Sequence, residues 1–379
     1  MSREPLNSRA VLYEKAGSKL VLRDIKVLRP KGREVLVRMT SAGLCHSDLN
    51  AIEGHTRYDL PIVMGHEGVG TVEDVGPEVT MVKAGDRVIL SWASFCGECF
   101  FCLRNETELC ETIAMPRGKG LLPGFSSAFE DSNGSKIFHF AAVSSFSEYT
   151  VLHESGCVPI EEDISDEVAA TVGCSVVTGM GSVFNTADLQ KNDTMLVIGA
   201  GSIGMSIIQA ARIRGAKVIA VIERDRAKWP LAKELGATDI FDSSEGIAFD
   251  KIAELTGGRG LDFVFDAVTT EETLQASVQM ARRGGAVILV GSPHPLMNVA
   301  FPMVDFHVEK KLIGSLYGSA NPQVDIPLIL DLYRDGALKL DSFICKTFSM
   351  DDINRAVDAL REKGGKYLIE INKRESKDK

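Results

Sequence analysis

Four cysteines crowd one short segment, Cys96-Gly-Glu-Cys99-Phe-Phe-Cys102-Leu-Arg-Asn-Glu-Thr-Glu-Leu-Cys110, at spacings of three, three and eight residues. A Cys-x2-Cys step lets two thiolates reach one tetrahedral ion, and two more sulfurs from the same loop complete a closed four-thiolate shell. A closed shell leaves no open position for a substrate, so this segment predicts a structural zinc. A disulfide cluster is the alternative. The chain shows no signal peptide, so its thiols are expected to stay reduced.

The chemistry must then lie elsewhere. Three separated pieces offer a second ligand set: Gly43-Leu-Cys45-His46-Ser47-Asp48 a thiolate, Gly65-His66-Glu67 an imidazole, and Gly173-Cys174-Ser175 another thiolate. Two sulfurs and one nitrogen leave a fourth position free, the pattern of catalytic zinc. Singly, each cysteine also reads as a small buried hydrophobe and the histidine as a satisfied core residue.

A third motif binds rather than reacts. Met195-Leu-Val-Ile198 runs straight into Gly199-Ala-Gly201-Ser-Ile-Gly204 and then a helical stretch, Ile203–Arg214. Glycines there allow a tight turn and close approach of backbone amides to a pyrophosphate, at a helix N-terminus that favours the anion. Glu223, nineteen residues past Gly204, stands where an acid accepts hydrogen bonds from the adenosine ribose. Arg224 follows and would attract a 2′-phosphate, which Glu223 would repel, so NAD is favoured over NADP.

These pieces need two kinds of scaffold. Residues 9–180 carry short β-like runs broken by glycine, namely Val35–Met39, Gly68–Val75, Arg87–Leu90 and Ser147–Leu152. They predict a barrel- or sandwich-like β-rich domain with an inserted metal loop and an irregular excursion from Met115 to Ile137. From about 181, strands alternate with helices: Met195–Ile198, Lys217–Ile222, Asp262–Ala267, Ala286–Val290 and Lys311–Leu316. That alternation predicts a doubly wound parallel sheet, a Rossmann domain. The fold class is thus α/β, with a catalytic domain of 1–180 and 318–379 and a cofactor domain of 181–317. A last helix carries Ser349 as N-cap, Ile353, Val357 and Leu360 on one face, and Gly364 as its stop. The first eight residues and the tail Glu375–Lys379 are polar and expected to fray.

The bulk composition narrows the partners. With 379 residues, a net charge of −10 and 45% hydrophobic residues, the chain has room for two domains and no basic, aromatic-interleaved run for nucleic acid. No stretch reads as a membrane span. Four of the eight cysteines lie outside the metal loop and are scattered, which suits a cytoplasmic protein better than a disulfide scaffold.

Taken together, the motifs Gly43–Asp48, Gly65–Gly70, Cys96–Cys110, Gly173–Gly181, Gly199–Gly204 and Gly318 make the chain resemble the zinc-dependent alcohol dehydrogenases of the medium-chain dehydrogenase/reductase superfamily. The resemblance covers nearly the whole length. Gly118-Lys-Gly-Leu-Leu-Pro123 is similar to the glutathione-dependent formaldehyde dehydrogenase (class III) branch, and Met115-Pro-Arg-Gly118 to the animal and plant enzymes. The resemblance implies that Cys45, His66 and Cys174 hold a catalytic zinc, with Asp48 bonded to the imidazole, Glu67 behind the metal and Ser47 accepting the alcohol proton. It implies that Thr178 and Ile203 face the nicotinamide, that His46 and Lys366 neutralise the pyrophosphate, that Lys228 touches the ribose, and that Val268 joins the cofactor site. It places Trp92, Phe140, Ala141, Ser292 and Leu316 around the substrate, a small alcohol or aldehyde. A homodimer through the edge strand around 300–317, or a tetramer, is also implied.

Departures from the family matter as much. Asn50 stands where many members carry a titrating histidine that passes the proton to solvent, leaving His46, His55 or water for that task. Ala114 stands where the class III branch has an arginine, and His55–Asp59 lacks that branch's acidic pair. The expected function is NAD-dependent oxidation of a primary alcohol, aryl, allylic or longer-chain. The alternatives are a nicotinoprotein with tightly held NAD and a non-catalytic NAD sensor.

Overall fold

The computed structural model describes residues 4–373 apart from 245 and 248. The tail expected to fray, 375–379, lies outside the described residues. At the other end residues 1–3 likewise lie outside the described residues, but 6–8 already belong to a strand, Leu6–Tyr13, because Ala10, Val11 and Leu12 are buried and pair with Val21–Val27.

The chain packs as two compact units, 1–174 with 321–328 and 340–379, and 175–320 with 329–339. The domain bounds read from sequence shift accordingly. Residues 175–180 join the second unit because Gly179 lets its backbone press on the helix Ser202–Arg214; a Cβ there would meet Ile203 O and Ser206 Cβ at 2.6 Å. Residues 329–339 join it through Lys339, whose N–H donates to Gln209 Oε1 at 2.8 Å.

In the first unit, Leu6–Tyr13, Val21–Val27, Phe129–Glu130, Lys136–His139 and Ile62–Val63 close a barrel. A second sheet runs in the order Cys157–Pro159, Arg87–Leu90, Glu67–Val75, Glu34–Leu44, Lys366–Glu370, Ile344–Ser349, and Tyr149–His153 also pairs with Glu34–Leu44. The segment expected to be irregular, 115–137, instead supplies a helix end, the barrel strand Phe129–Glu130 and the start of the barrel strand Lys136–His139. Nor is the region all β, since helices occupy His46–Ile52, Glu111–Gly118 and Asp166–Thr171. The helical run Asp166–Thr186 is also long and apolar enough to cross a membrane, against expectation. Its most apolar window is 89% buried, so its composition reflects core packing. The last helix spans Ile353–Lys363 and stops at Gly364, whose φ of 61° suits glycine. Ser349 does not cap it; its hydroxyl donates to Asp352 Oδ2 at 3.2 Å, ahead of a 3-10 turn over Met350–Asp352.

The second unit holds six parallel strands in the order Asp239–Phe241, Val218–Ile222, Thr194–Ile198, Leu261–Asp266, Ala281–Leu289, Lys311–Gly314. This is the doubly wound order of dinucleotide-binding sheets. Thr194–Ile198 and Val218–Ile222 are buried at every position, as a sheet covered on both faces requires.

Candidate active site

The strand Glu34–Leu44 ends directly at Cys45, the N-cap of the helix His46–Ile52. His66 immediately precedes Glu67–Val75, which pairs with Glu34–Leu44 in a register that sets Gly43 opposite Glu67. Cys174 lies in a π-helical turn, Val172–Val176, the kind of local widening often found at functional sites. Adjacent strands and one irregular helix thus bring three distant sequence pieces together. One ligand atom from each of Cys45, His66, Glu67 and Cys174 lies within 4.8 Å of all the others. Cys174 Sγ stands 3.5 Å from His66 Nε2. A tetrahedral zinc with bonds of about 2.3 Å to sulfur and 2.0–2.1 Å to nitrogen demands about 3.6 Å, so the residues fit the metal.

The surroundings prepare the ligands. His66 Nδ1 lies 3.3 Å from Asp48 Oδ1, both buried, which leaves Nε2 for the metal. Asp48 Oδ2 accepts from the Cys45 N–H at 3.0 Å. Burial opposes the protonated His66 ring, yet Asp48 and Cys45 raise its pKa well above the usual value. The hydrogen bond with Cys174, helped by His66 and Lys366 against burial, pushes the Cys45 thiol well below its ordinary value.

Glu67 is buried behind this set, and its partner is Lys366, with Nζ 2.5 Å from Oε1. The sequence reading put Lys366 at the pyrophosphate. In the structure its ammonium is 2% exposed and paired with Glu67, because Lys366 starts a strand whose next residues pair with Gly43 and Leu44. Ser47 and His46 are exposed on the first turn of their helix, with Ser47 Oγ 3.9 Å from Cys45 Sγ. Asn50 is half-buried and His55 exposed in the same region.

The four-cysteine loop forms a separate cluster. Sγ separations are 3.9 Å for Cys96–Cys102, 3.5 Å for Cys99–Cys102 and 3.8 Å for Cys99–Cys110. A disulfide needs about 2.05 Å, whereas a tetrahedral four-thiolate zinc needs about 3.8 Å. Backbone N–H groups of Cys99, Glu98 and Cys96 point at the sulfurs at 3.3–3.5 Å. Burial works to raise the Cys99 thiol, but backbone donors at Cys102 and Glu111 bring it down to about 6.

In the second unit, Gly199 and Gly201 lie in the turn between Thr194–Ile198 and Ser202–Arg214, and Gly204 in the first turn of that helix. A side chain at Gly204 would collide with the Gly199 carbonyl. Glu223 directly follows the neighbouring strand Val218–Ile222, where its Oε2 accepts from Ala200 N–H at 2.8 Å and lies 3.7 Å from Lys228 Nζ. Thr178 is buried and Ile203 half-buried, each within the second unit. Val268 and Leu316 are exposed apolar residues of that unit at 48% and 45%, and Ser292 is exposed too.

Beside the first metal set stands an aromatic wall. Phe140 meets His66 edge-on at 5.5 Å between ring centroids, and Tyr58 at 5.1 Å. Trp92 and Ala141 pack against the same core. Ala141 takes a left-handed backbone, φ 52°. Tyr58 and Arg117, which stacks on Trp92, escaped the sequence reading, since no spacing rule marks a lone aromatic or arginine.

An open Cys-His-Cys site with a buried carboxylate, a closed four-thiolate site and a dinucleotide-binding sheet define a zinc-binding dehydrogenase. Comparison with known proteins agrees. The model of the alcohol dehydrogenase GroES-like domain matches residues 31–162, and that of the zinc-binding dehydrogenase matches 202–334. S-(hydroxymethyl)glutathione dehydrogenase of Synechocystis sp. is 34% identical, with 94% of this chain and 97% of that protein covered. The protein so named from Saccharomyces cerevisiae is 35% identical, with 93% and 92% covered. Among solved structures, benzyl alcohol dehydrogenase from Acinetobacter calcoaceticus superposes with a TM-score of 0.89 at 29% identity, covering 97% of this chain and 100% of that one. The chain belongs to the zinc-dependent alcohol dehydrogenases of the medium-chain dehydrogenase/reductase superfamily, with a likeness to the class III branch. It is an NAD-dependent zinc enzyme acting on a small alcohol or aldehyde, and the relatives lend no support to the sensor or nicotinoprotein alternatives.

Proposed function

We propose that the enzyme oxidises primary alcohols of aryl, allylic or longer-chain type with NAD, and reduces the matching aldehydes. The observation that carries this reading is the aromatic wall of Phe140 and Tyr58 against the metal ligand His66. Flat aromatic faces reward a flat substrate, and each buried CH2 adds about 0.8 kcal/mol. The bulk of Trp92 disfavours branching at the reacting carbon, so secondary alcohols should be poor. The similarity to a benzyl alcohol dehydrogenase supports the same class.

Cys45, His66 and Cys174 would hold a zinc ion, which would supply the Lewis acidity that lowers the pKa of an alcohol oxygen. The protein's own work surrounds that event. Asp48 fixes the His66 ring. Ser47 takes the alcohol proton, and because Asn50 does not titrate, the proton leaves through His46, His55 or water. Gly199–Gly204, Glu223 and Lys228 hold the adenosine half of NAD, while Thr178, Ile203 and Val268 face the nicotinamide.

A second reading comes from the relatives named for S-(hydroxymethyl)glutathione. Ala114 in place of the branch's arginine weighs against the glutathione part. Steady-state kcat/KM for benzyl and cinnamyl alcohol, ethanol, 2-propanol and formaldehyde with glutathione decides between them. Benzyl or cinnamyl alcohol should lead. A lead for ethanol or 2-propanol refutes the pocket argument, and a lead for the glutathione adduct establishes the second reading.

We infer too that the enzyme is cytoplasmic and dimeric, through the sheet edge Lys311–Gly314 near the exposed Met303, Val304 and Leu312; a tetramer is the alternative.

A further inference from the structure

Arg117 lies in the last turn of the helix Glu111–Gly118. Its Nη1 donates to the Trp92 carbonyl at 3.0 Å, and its guanidinium sits 4.9 Å from the Trp92 ring centroid. The side chain is half-buried, and the titratable groups that act on it are Tyr58 and Cys110, neither of them a carboxylate. A guanidinium drawn partly out of water normally takes an anionic partner, because burying an uncompensated charge is costly. The Trp92 face offsets part of that cost. It satisfies neither the charge nor the fork of donors that recognises a carboxylate in two-pronged fashion.

The place of this charge gives it meaning. Trp92 packs against the same core as Tyr58 and Phe140, and Phe140 touches His66. Arg117 is thus joined to this aromatic group through the Trp92 ring and acts electrostatically on Tyr58, which itself meets Phe140 beside His66.

We propose that Arg117 is a specificity-determining residue that reads a carboxylate at the far end of an aryl alcohol whose hydroxymethyl group points to the metal ligands. This rests on the primary-alcohol reading above and narrows its substrate class to carboxylated aryl alcohols. The held Trp92 ring and the free guanidinium donors form one surface, apolar along the ring of the substrate and cationic at its end.

The test compares 4-(hydroxymethyl)benzoate with its neutral methyl ester on the zinc-loaded holoenzyme with NAD, in the unmodified protein, Arg117→Met and Arg117→Lys. The kcat/KM ratio of acid to ester should be about tenfold or more in the unmodified enzyme, near one in Arg117→Met and intermediate in Arg117→Lys. A ratio at or below one in the unmodified enzyme, or one unchanged in Arg117→Met, overturns the proposal. Should neither compound turn over, the primary-alcohol reading fails separately. Calorimetric dissociation constants for the two compounds then decide: tighter binding of the acid, lost in Arg117→Met, supports the proposal, and equal binding overturns it. If Arg117→Met sheds the zinc of the four-cysteine loop while Arg117→Lys keeps the unmodified ratio and zinc, the arginine is a counter-charge to that cluster and the proposal falls.

Discussion

The Lys366 ammonium lies 2.5 Å from Glu67 Oε1, and the two side chains are 2% and 0% exposed. Such closeness depends on the strand between them. Gly43 faces the pair, and a Cβ there would stand 2.8 Å from Glu67 Cδ and 2.9 Å from Lys366 Nζ. Glu67 Oε2 has no hydrogen-bond partner among the described residues, so Lys366 is the main balance to the carboxylate, with a smaller pull from His66. Burial pushes the Glu67 carboxyl up to about 7 against the pull of Lys366.

Lys366→Met should therefore strand Glu67. Breaking one side of a buried ion pair typically costs about 3–5 kcal/mol, whereas removing both charges costs far less. Urea denaturation of the zinc-loaded protein should show that loss for Lys366→Met and recover most of it in Lys366→Met with Glu67→Gln. A variant of unmodified stability whose main defect is a raised KM for NAD would show that Lys366 serves the pyrophosphate rather than the balance of Glu67.

Glu223 is held by two backbone amides. Its Oε2 accepts from Ala200 N–H and its Oε1 from Asp225 N–H, each at 2.8 Å. The carboxylate thus ties the glycine turn to the strand end, and the proposed ribose contact would use its remaining lone pairs. Unmodified enzyme should prefer NAD over NADP in kcat/KM by about tenfold or more, roughly 1.4 kcal/mol, and Glu223→Gly should narrow that gap. Equal turnover with NADP in the unmodified enzyme contradicts the assignment.

His139 makes acid sensitivity predictable. Ala128 N–H donates to its Nε2 at 3.1 Å, and its ring stacks on Phe129 at 4.1 Å. Burial pushes its pKa down to about 3. The unfolded chain, titrating near 6.5, binds a proton that the folded state refuses. Stability is therefore full above about pH 6.5 and falls as pH drops towards 3, by up to about 1.4 kcal/mol per unit. His139→Gln keeps an acceptor for Ala128 and removes the titration. Its urea midpoint should fall less between pH 7 and pH 5 than that of the unmodified protein, while His153, brought down to about 4 mainly by burial, keeps a slope in both. Identical slopes would show that His139 does not titrate on unfolding.

Much of the site was legible because its chemistry is written in short local patterns. Cys96–Cys110 and Gly199–Gly204 carry their geometry in their spacing, and the acid at Glu223 follows from the length of one βαβ step. Cys45, His66 and Cys174 share no spacing; they meet through strand register and a π turn. The pairing of Lys366 with Glu67 was not legible, because a lysine in sequence carries no sign of burial. Only the pairing of its strand with Gly43 and Leu44 turns it towards Glu67. Likewise the Met115–Ile137 stretch looked irregular, since its Gly, Ser and Pro residues hide two-residue and four-residue strands that only barrel closure stabilises.

Zinc content measured together with NADH formation in Cys174→Ala tests the central claim most directly. The two clusters predict two zinc ions in the unmodified chain, one of them at Cys45, His66 and Cys174. Cys174→Ala should keep the zinc of the four-cysteine loop and a native circular dichroism spectrum, lose the other ion, and form no NADH from any primary alcohol. Sustained turnover by Cys174→Ala, or full activity of the unmodified enzyme with zinc only in the four-cysteine loop, would contradict the account.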